Sequence, residues 1–257
     1  SVGDHAFSYC TSLTSITIPG SVTSIGAGAF CGCTNLTSIT ISDGVTSIGD
    51  DAFYDTGYYN CDDNWQSGVL YIGKHLIDTK NTLSGNYQIK SGTLTIAGKA
   101  FSGCTNLTSV AIPSSVVSIG DEAFRGCTGL TNIIVPNGVT SIGDYAFSDC
   151  WGLISIKVDE SNTKYCSKEN CLLERESRTL ILGCKNSVIP SDGSVTHIGD
   201  YAFDGCRGLT FITIPDSVTS IGDYAFSDCW GLTSITIPDS VISIGYAAFS
   251  DCWGLIS

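Results

Sequence analysis

Thirteen cysteines, three histidines and a recurrent aspartate are the side chains of this 257-residue chain whose types could carry chemistry. Cysteine can pair, hold zinc or attack a carbonyl, and spacing decides which of these applies. Cys10, Cys33, Cys104, Cys127, Cys150, Cys206, Cys229 and Cys252 each stand three residues after a phenylalanine. At the same place after Phe53 the residue is Thr56. Paired disulfides would strand a partner opposite that threonine, whereas a row of small buried side chains accepts it. The spacing therefore reads as free thiols, although neighbours about 5 Å apart in such a row would be within pairing distance. Cys31-x-Cys33 and Cys166-x4-Cys171 lack the Cys-x-x-Cys pairs of a structural zinc site. Cys166, Cys171 and Cys184 share one irregular stretch, where a disulfide or a partial metal site stays open.

His5, His75 and His197 lie far apart, and no Ser/His/Asp or Cys/His constellation surrounds any of them. No glycine-rich loop opens a long helix. The expectation is a protein with no catalytic residue, no metal and no cofactor. Asp4, Asp50, Asp121, Asp144, Asp200 and Asp223 recur at one repeat position, and stacked acids could hold Ca²⁺. Yet Ala27, Gly98 and Tyr246 occupy that position elsewhere, and capping of a short helical turn explains each aspartate.

The elements that place these residues come from an internal repeat. An Ala-Phe pair recurs, with its phenylalanine at Phe7, Phe30, Phe53, Phe101, Phe124, Phe147, Phe203, Phe226 and Phe249. Six of the eight gaps are 23 residues; the others are 48 and 56. In the unit from Phe203, Ile212-Thr213-Ile214 alternates in period two and is stopped by Pro215, the pattern of a short strand. Val218-Thr219-Ser220-Ile221 is a second extended piece, and Gly222 with Asp223 turns the chain into a predicted helical turn carrying Ala225 and Phe226. One unit cannot bury its apolar side alone. Stacked coils bury it together, with strands about 4.8 Å apart in a parallel sheet along one face. The predicted fold class is an α/β repeat solenoid with short helical turns.

The pattern Cys-x-x-Leu-x-x-Ile-x-Ile-Pro-x-x-Val-x-x-Ile-Gly-x-x-Ala-Phe runs intact from Cys206 to Phe226 and from Cys229 to Phe249. It resembles the leucine-rich repeats of BspA-like surface proteins of the treponemal type. The resemblance spans the whole chain and implies a single solenoid over residues 1–257, about 11 coils long; opening on Ser1 and stopping on Ser257 inside repeats, the chain reads as a fragment of a longer one. It also implies a cell-surface or secreted location and adhesion to matrix proteins or neighbouring cells.

The long gaps equal two units plus 2 and two units plus 10, which predicts irregular islands at 54–92 and 159–194. In the first, Val69–Ile72 and His75–Ile77 flank Gly73-Lys74; in the second, Cys171–Leu173 and Thr179–Leu182 flank Arg175-Glu176-Ser177. Both read as β-hairpins protruding from the solenoid. Tyr58, Tyr59, Asp62, Asp63 and Trp65 form an aromatic–acidic group of a kind enriched at recognition surfaces. On the strand face, Asn132, Lys157 and Phe211 break a monotony of outward Ser and Thr. These eight residues are the candidate contacts for an extracellular protein or glycan ligand. A structural spacer holding other domains off a cell surface is the alternative. The net charge of −13 disfavours nucleic acid and anionic lipid, and no apolar run is long enough for membrane insertion.

Overall fold

The computed structural model describes residues 1–256. Most regular coils supply two short strands. In the coils from Phe203 and Phe226 only the second forms, so the strand expected at Ile212-Thr213-Ile214 is not present, although Ile212 and Ile214 are still buried. The first kind pairs parallel at the repeat spacing: Ser15–Ile18 with Ser38–Ile41, and Gly85–Gln88, Leu107–Ala111, Asn132–Val135 and Ser155–Val158 as a four-stranded sheet. Alternation sends Ile133 and Val135 inward to complete burial while Ile134 stays exposed. The second kind is two residues long, as in Ser118–Ile119, and its Ile points into the core. Ser24–Ile25 pairs with Ser47–Ile48, and Thr95–Ile96, Ser118–Ile119 and Ser141–Ile142 pair in the same way in a separate sheet.

The stretches carrying Ala-Phe are not helical, which corrects both the expected helical turns and the α/β class. Among the described residues the one helix is a single 3₁₀ turn, Asp62–Asn64. Backbone handedness is the reason. Glu122 and Gly126 flank Phe124 at φ of 51° and 70°, and Tyr224 and Asp228 flank Phe226 at 53° and 54°. Two left-handed residues four apart break the run of right-handed φ that a helix needs. The amides turn outward instead. Glu122, Phe124 and Gly126 donate to the carbonyls of Asp144, Ala146 and Ser148 in the next coil at 2.8, 2.8 and 2.9 Å. These bonds make a third ladder, so the fold is a β-solenoid hydrogen-bonded along three lines.

The recurrent aspartates serve the same ladder. Asp121 Oδ1 accepts the Asp144 amide at 2.9 Å, and Asp200 Oδ1 accepts the Asp223 amide at 2.7 Å. They clamp one coil to the next rather than cap a turn of their own. Inside, the phenylalanine rings stack: Phe101–Phe124 at 4.9 Å, Phe124–Phe147 at 5.3 Å and Phe203–Phe226 at 5.0 Å, all within 7° of parallel. Beside them Cys127 Sγ donates to the Phe101 carbonyl of the preceding coil at 3.1 Å, and Cys150 and Cys229 repeat the contact at 3.2 Å. All thirteen cysteines are unpaired, including Cys166, Cys171 and Cys184. Burial pushes the Cys127 thiol up to about 12, which suits a core thiol rather than a nucleophile. Thr56 is fully buried and turns its hydroxyl to its own coil's Phe53 carbonyl at 2.9 Å.

The irregular stretches hold two three-stranded antiparallel meanders, Trp65–Gln66, Val69–Ile72 and His75–Thr79, and Tyr165–Lys168, Cys171–Glu174 and Thr179–Leu182; the last two strands of each form the hairpin that joins the stack. Neither protrudes. His75 and Leu76 pair parallel with Thr95 and Ile96, and Thr179 and Leu180 with His197 and Ile198. Leu76 and Leu180 thus take the buried place that an Ile holds in a regular coil. The second hairpin also divides the core. Leu172 and Leu182 belong to the cluster that begins at Ile18, while Leu173 and Leu180 belong to the one that ends at Ala248.

Candidate binding clefts

The structure does not gather the eight residues singled out from sequence into one site. Tyr58 and Tyr59 are half-buried, and the Tyr59 ring meets Trp65 edge-on at 5.1 Å and Tyr54 at 5.2 Å. Their polar atoms are already used: Trp65 Nε1 donates to the Tyr59 carbonyl at 2.7 Å, Tyr59 Oη to Asp78 at 2.8 Å, and Tyr58 Oη to the Tyr71 carbonyl at 3.0 Å. Asp62 and Asp63 are exposed on the 3₁₀ turn, with Lys80 3.2 Å from Asp62. Asn132 and Lys157 stand on adjacent strands, where Asn132 pairs with Ser155 and Lys157 with Ile134. Phe211 is 66% exposed but lies beyond the second hairpin.

A different feature emerges from the turn ladder, which breaks twice. Among the described residues, the amides of Asp51, Phe53 and Asp55, and of Tyr145, Phe147 and Asp149, have no hydrogen-bond acceptor in the protein. Each break faces a cleft beside a hairpin. At the second, Gly183 N donates to the Ala202 carbonyl at 2.7 Å, the acceptor that the Phe147 amide would use in a regular stack. Any Cβ on Gly183 would collide with the Phe203 ring, so a glycine is required at this insertion.

The second cleft has a volume of about 420 Å³ and lies between Asp144–Ser148 and His197–Tyr201, with Thr179, Ile181 and Leu182 between them. That is within the usual size of ligand clefts, about 300–1,000 Å³. The rings of Tyr145 and Tyr201 both line it and meet edge-to-face at 4.1 Å. Ser148, only 5% exposed, is among the lining residues, and its buried hydroxyl has no partner. Nearby, burial and then the charge of Asp149 push the Asp204 carboxyl up to about 7. Along the same edge the Arg207 guanidinium lies between the Trp151 and Trp230 rings, at 3.3 and 3.7 Å, and Trp230 stacks on Trp253 at 5.1 Å.

The first cleft is smaller, about 190 Å³, and its polar groups face one another. Lys99 lies 3.5 and 3.4 Å from Asp50 and Asp51. Asp78, which accepts from Tyr59, is pushed up to about 6 by burial. Gly98 N bonds to the Ile48 carbonyl at 2.9 Å while Lys99 N bonds onward to Asp121, so Asp50 Oδ1 loses the next-coil amide that its counterparts accept.

Sequence reasoning missed Tyr145, Ser148, Tyr201 and Asp204. A signal was present in the Tyr-Ala-Phe triplets at Tyr145, Tyr201 and Tyr224, and in the Asp-Cys-Trp triplets at Asp149, Asp228 and Asp251. These cluster in the coils that flank the second hairpin.

No curated protein matches the sequence. Among solved structures, a leucine rich cell surface protein from Faecalibacterium prausnitzii is 30% identical, with 98% of this chain and 74% of that chain covered and a TM-score of 0.56. A leucine-rich repeat protein from Eubacterium ventriosum is 27% identical over 94% of this chain and 58% of that one, with a TM-score of 0.57. The pneumococcal vaccine antigen PcpA, at 22% identity and a TM-score of 0.58, shares the fold; this chain covers 55% of it. Among the described residues no helix is long and apolar enough to cross a membrane. The family model described as BspA type leucine-rich repeat region matches residues 1–93, 72–190 and 179–257. With that match from end to end, and a relative at 30% identity, the chain belongs to the BspA-type leucine-rich-repeat family.

Proposed function

We propose that this chain is a non-catalytic binding module, displayed on the cell surface or secreted, that recognises a protein or glycan. The observation that carries the reading is the second cleft. It is an opening with unpaired main-chain donors, a buried unpartnered hydroxyl and two tyrosines in a stack that elsewhere satisfies its turn amides. A spacer has no use for a break in its own ladder. The cell-surface description of the Faecalibacterium relative supports the location. On this reading Asn132, Lys157 and Phe211 of the strand face, and Tyr58, Tyr59, Asp62, Asp63 and Trp65 of the first irregular stretch, are further contact candidates.

The test is saturable binding of the folded chain to arrays of immobilised matrix proteins and glycans. The reading expects at least one ligand whose capture weakens when the cleft or strand-face residues are replaced. Absence of saturable binding to both arrays, by a sample with a cooperative melt, would sink it in favour of the spacer.

A further inference from the structure

Resting on the binding role above, we propose that the cleft between the Phe147 and Phe203 coils takes a basic peptide segment through alternate main-chain carbonyls. The main chain points to the backbone of such a ligand. In the intact joint below, the amides of Glu122, Phe124 and Gly126 receive the alternate carbonyls of Asp144, Ala146 and Ser148. The equivalent amides of Tyr145, Phe147 and Asp149 are open. What complements this donor row elsewhere in the molecule is the turn of the next coil, which presents a carbonyl at every second residue, so alternate main-chain carbonyls of a peptide fit it.

Charge points to its side chains. Rows of amides with alternating handedness also suit free anions. Here Asp144 and Asp200 line the cleft beside the row on a chain of net charge −13, so a neutral carbonyl fits better than a carboxylate or phosphate. Asp144 and Asp200 line the cleft together with the Tyr145 and Tyr201 rings, a setting for a lysine or arginine side chain. The first break shows the same site filled from within. There Lys99, which holds the repeat position of Tyr201, lies against Asp50 and Asp51, the counterparts of Asp144 and Tyr145. At the second break the chain supplies no such cation to Asp144. The ligand would bring it.

The experiment titrates isotope-labelled chain with an alternating lysine–threonine peptide, its glutamate–threonine counterpart, and a lysine–threonine version with alternate amides replaced by esters, which are weaker acceptors. Saturable binding of the basic peptide is expected, with slowed exchange and shifted resonances at the Tyr145, Phe147 and Asp149 amides. The acidic peptide should not bind, and the ester peptide should bind more weakly. Asp144→Asn with Asp200→Asn should weaken the basic peptide about tenfold and flatten its salt dependence. Asn keeps a carbonyl for the bond that Asp200 accepts from Asp223, so this variant retains its clamp. Basic-peptide binding that leaves those three amides unmoved, equal binding of the acidic or ester peptide, or no binding to a chain with a folded spectrum would each overturn the proposal. Capture of an array ligand that survives the Asn pair and leaves the three amides unmoved would overturn it while the wider binding role stands.

Discussion

Asp204 places a carboxyl where Ser8, Ser102, Ser148, Ser227 and Ser250 hold the equivalent position in other coils. Burial, then the nearby charge of Asp149, raises it to about 7, against about 3.9 for an aspartate in an unfolded chain. Between those values the folded state holds a proton that the unfolded state has lost, so stability is greatest on the acid side and falls as pH rises toward 7. Asp78, raised to about 6 mainly by burial, acts in the same direction. Asp204→Asn should therefore raise the melting temperature most near pH 8 and leave it almost unchanged only near pH 3, below the unfolded value, flattening the pH profile of thermal melts. Destabilisation near pH 8 would mean that the carboxylate is held by Arg125 rather than strained by burial.

Between coils, the phenylalanine stack sets the energetics, and its members are not equivalent. Phe124 lies between two parallel rings, whereas Phe147 has a stacked partner only on the Phe124 side. Phe124→Ala should cost about 3–5 kcal/mol. Phe147→Ala should cost about 1 kcal/mol less, because it forfeits one aromatic pair rather than two. Urea midpoints of the two variants make the comparison, and equal losses would show that ring stacking adds nothing beyond burial. This row was legible in the sequence, as were the Cys row and the inward Ile positions, because burial must follow the period of the repeat. The turn ladder was not. Glu122, Tyr201 and Tyr224 adopt left-handed φ although none is glycine, and each donates its amide to a carbonyl of the next coil, a partner outside its own repeat. The clefts escaped for a related reason. They follow from an acceptor missing in the next coil, and residue types within one repeat carry no record of that.

Along the whole molecule, a solenoid's stability is a sum of coil terms and nearest-neighbour joints, so it yields first at its weakest joint. Both breaks lose turn-ladder bonds, and among the described residues no stacked ring pair links Phe53 to Phe101 or Phe147 to Phe203. They differ in the core. One apolar cluster runs through the first break from Phe53 to Phe101, whereas the second break separates the two clusters. What crosses it is the Tyr145–Tyr201 contact, the Arg207–Trp151 stack and the hairpin itself. Urea should therefore unfold the block from His197 onward ahead of the rest. Hydrogen exchange at Phe203, Phe226 and their neighbours should lose protection in a first step that spares Phe101 and Phe124. Fluorescence would follow that step through Trp230 and Trp253, which lie in the outer block, while Trp65 lies near the first break. A single transition with coincident probes would show that the second joint couples as strongly as a regular one. The cleft occupies this joint, so a ligand that binds across it only when both walls are in place must stabilise the outer block. Adding the basic peptide should then draw the two transitions together.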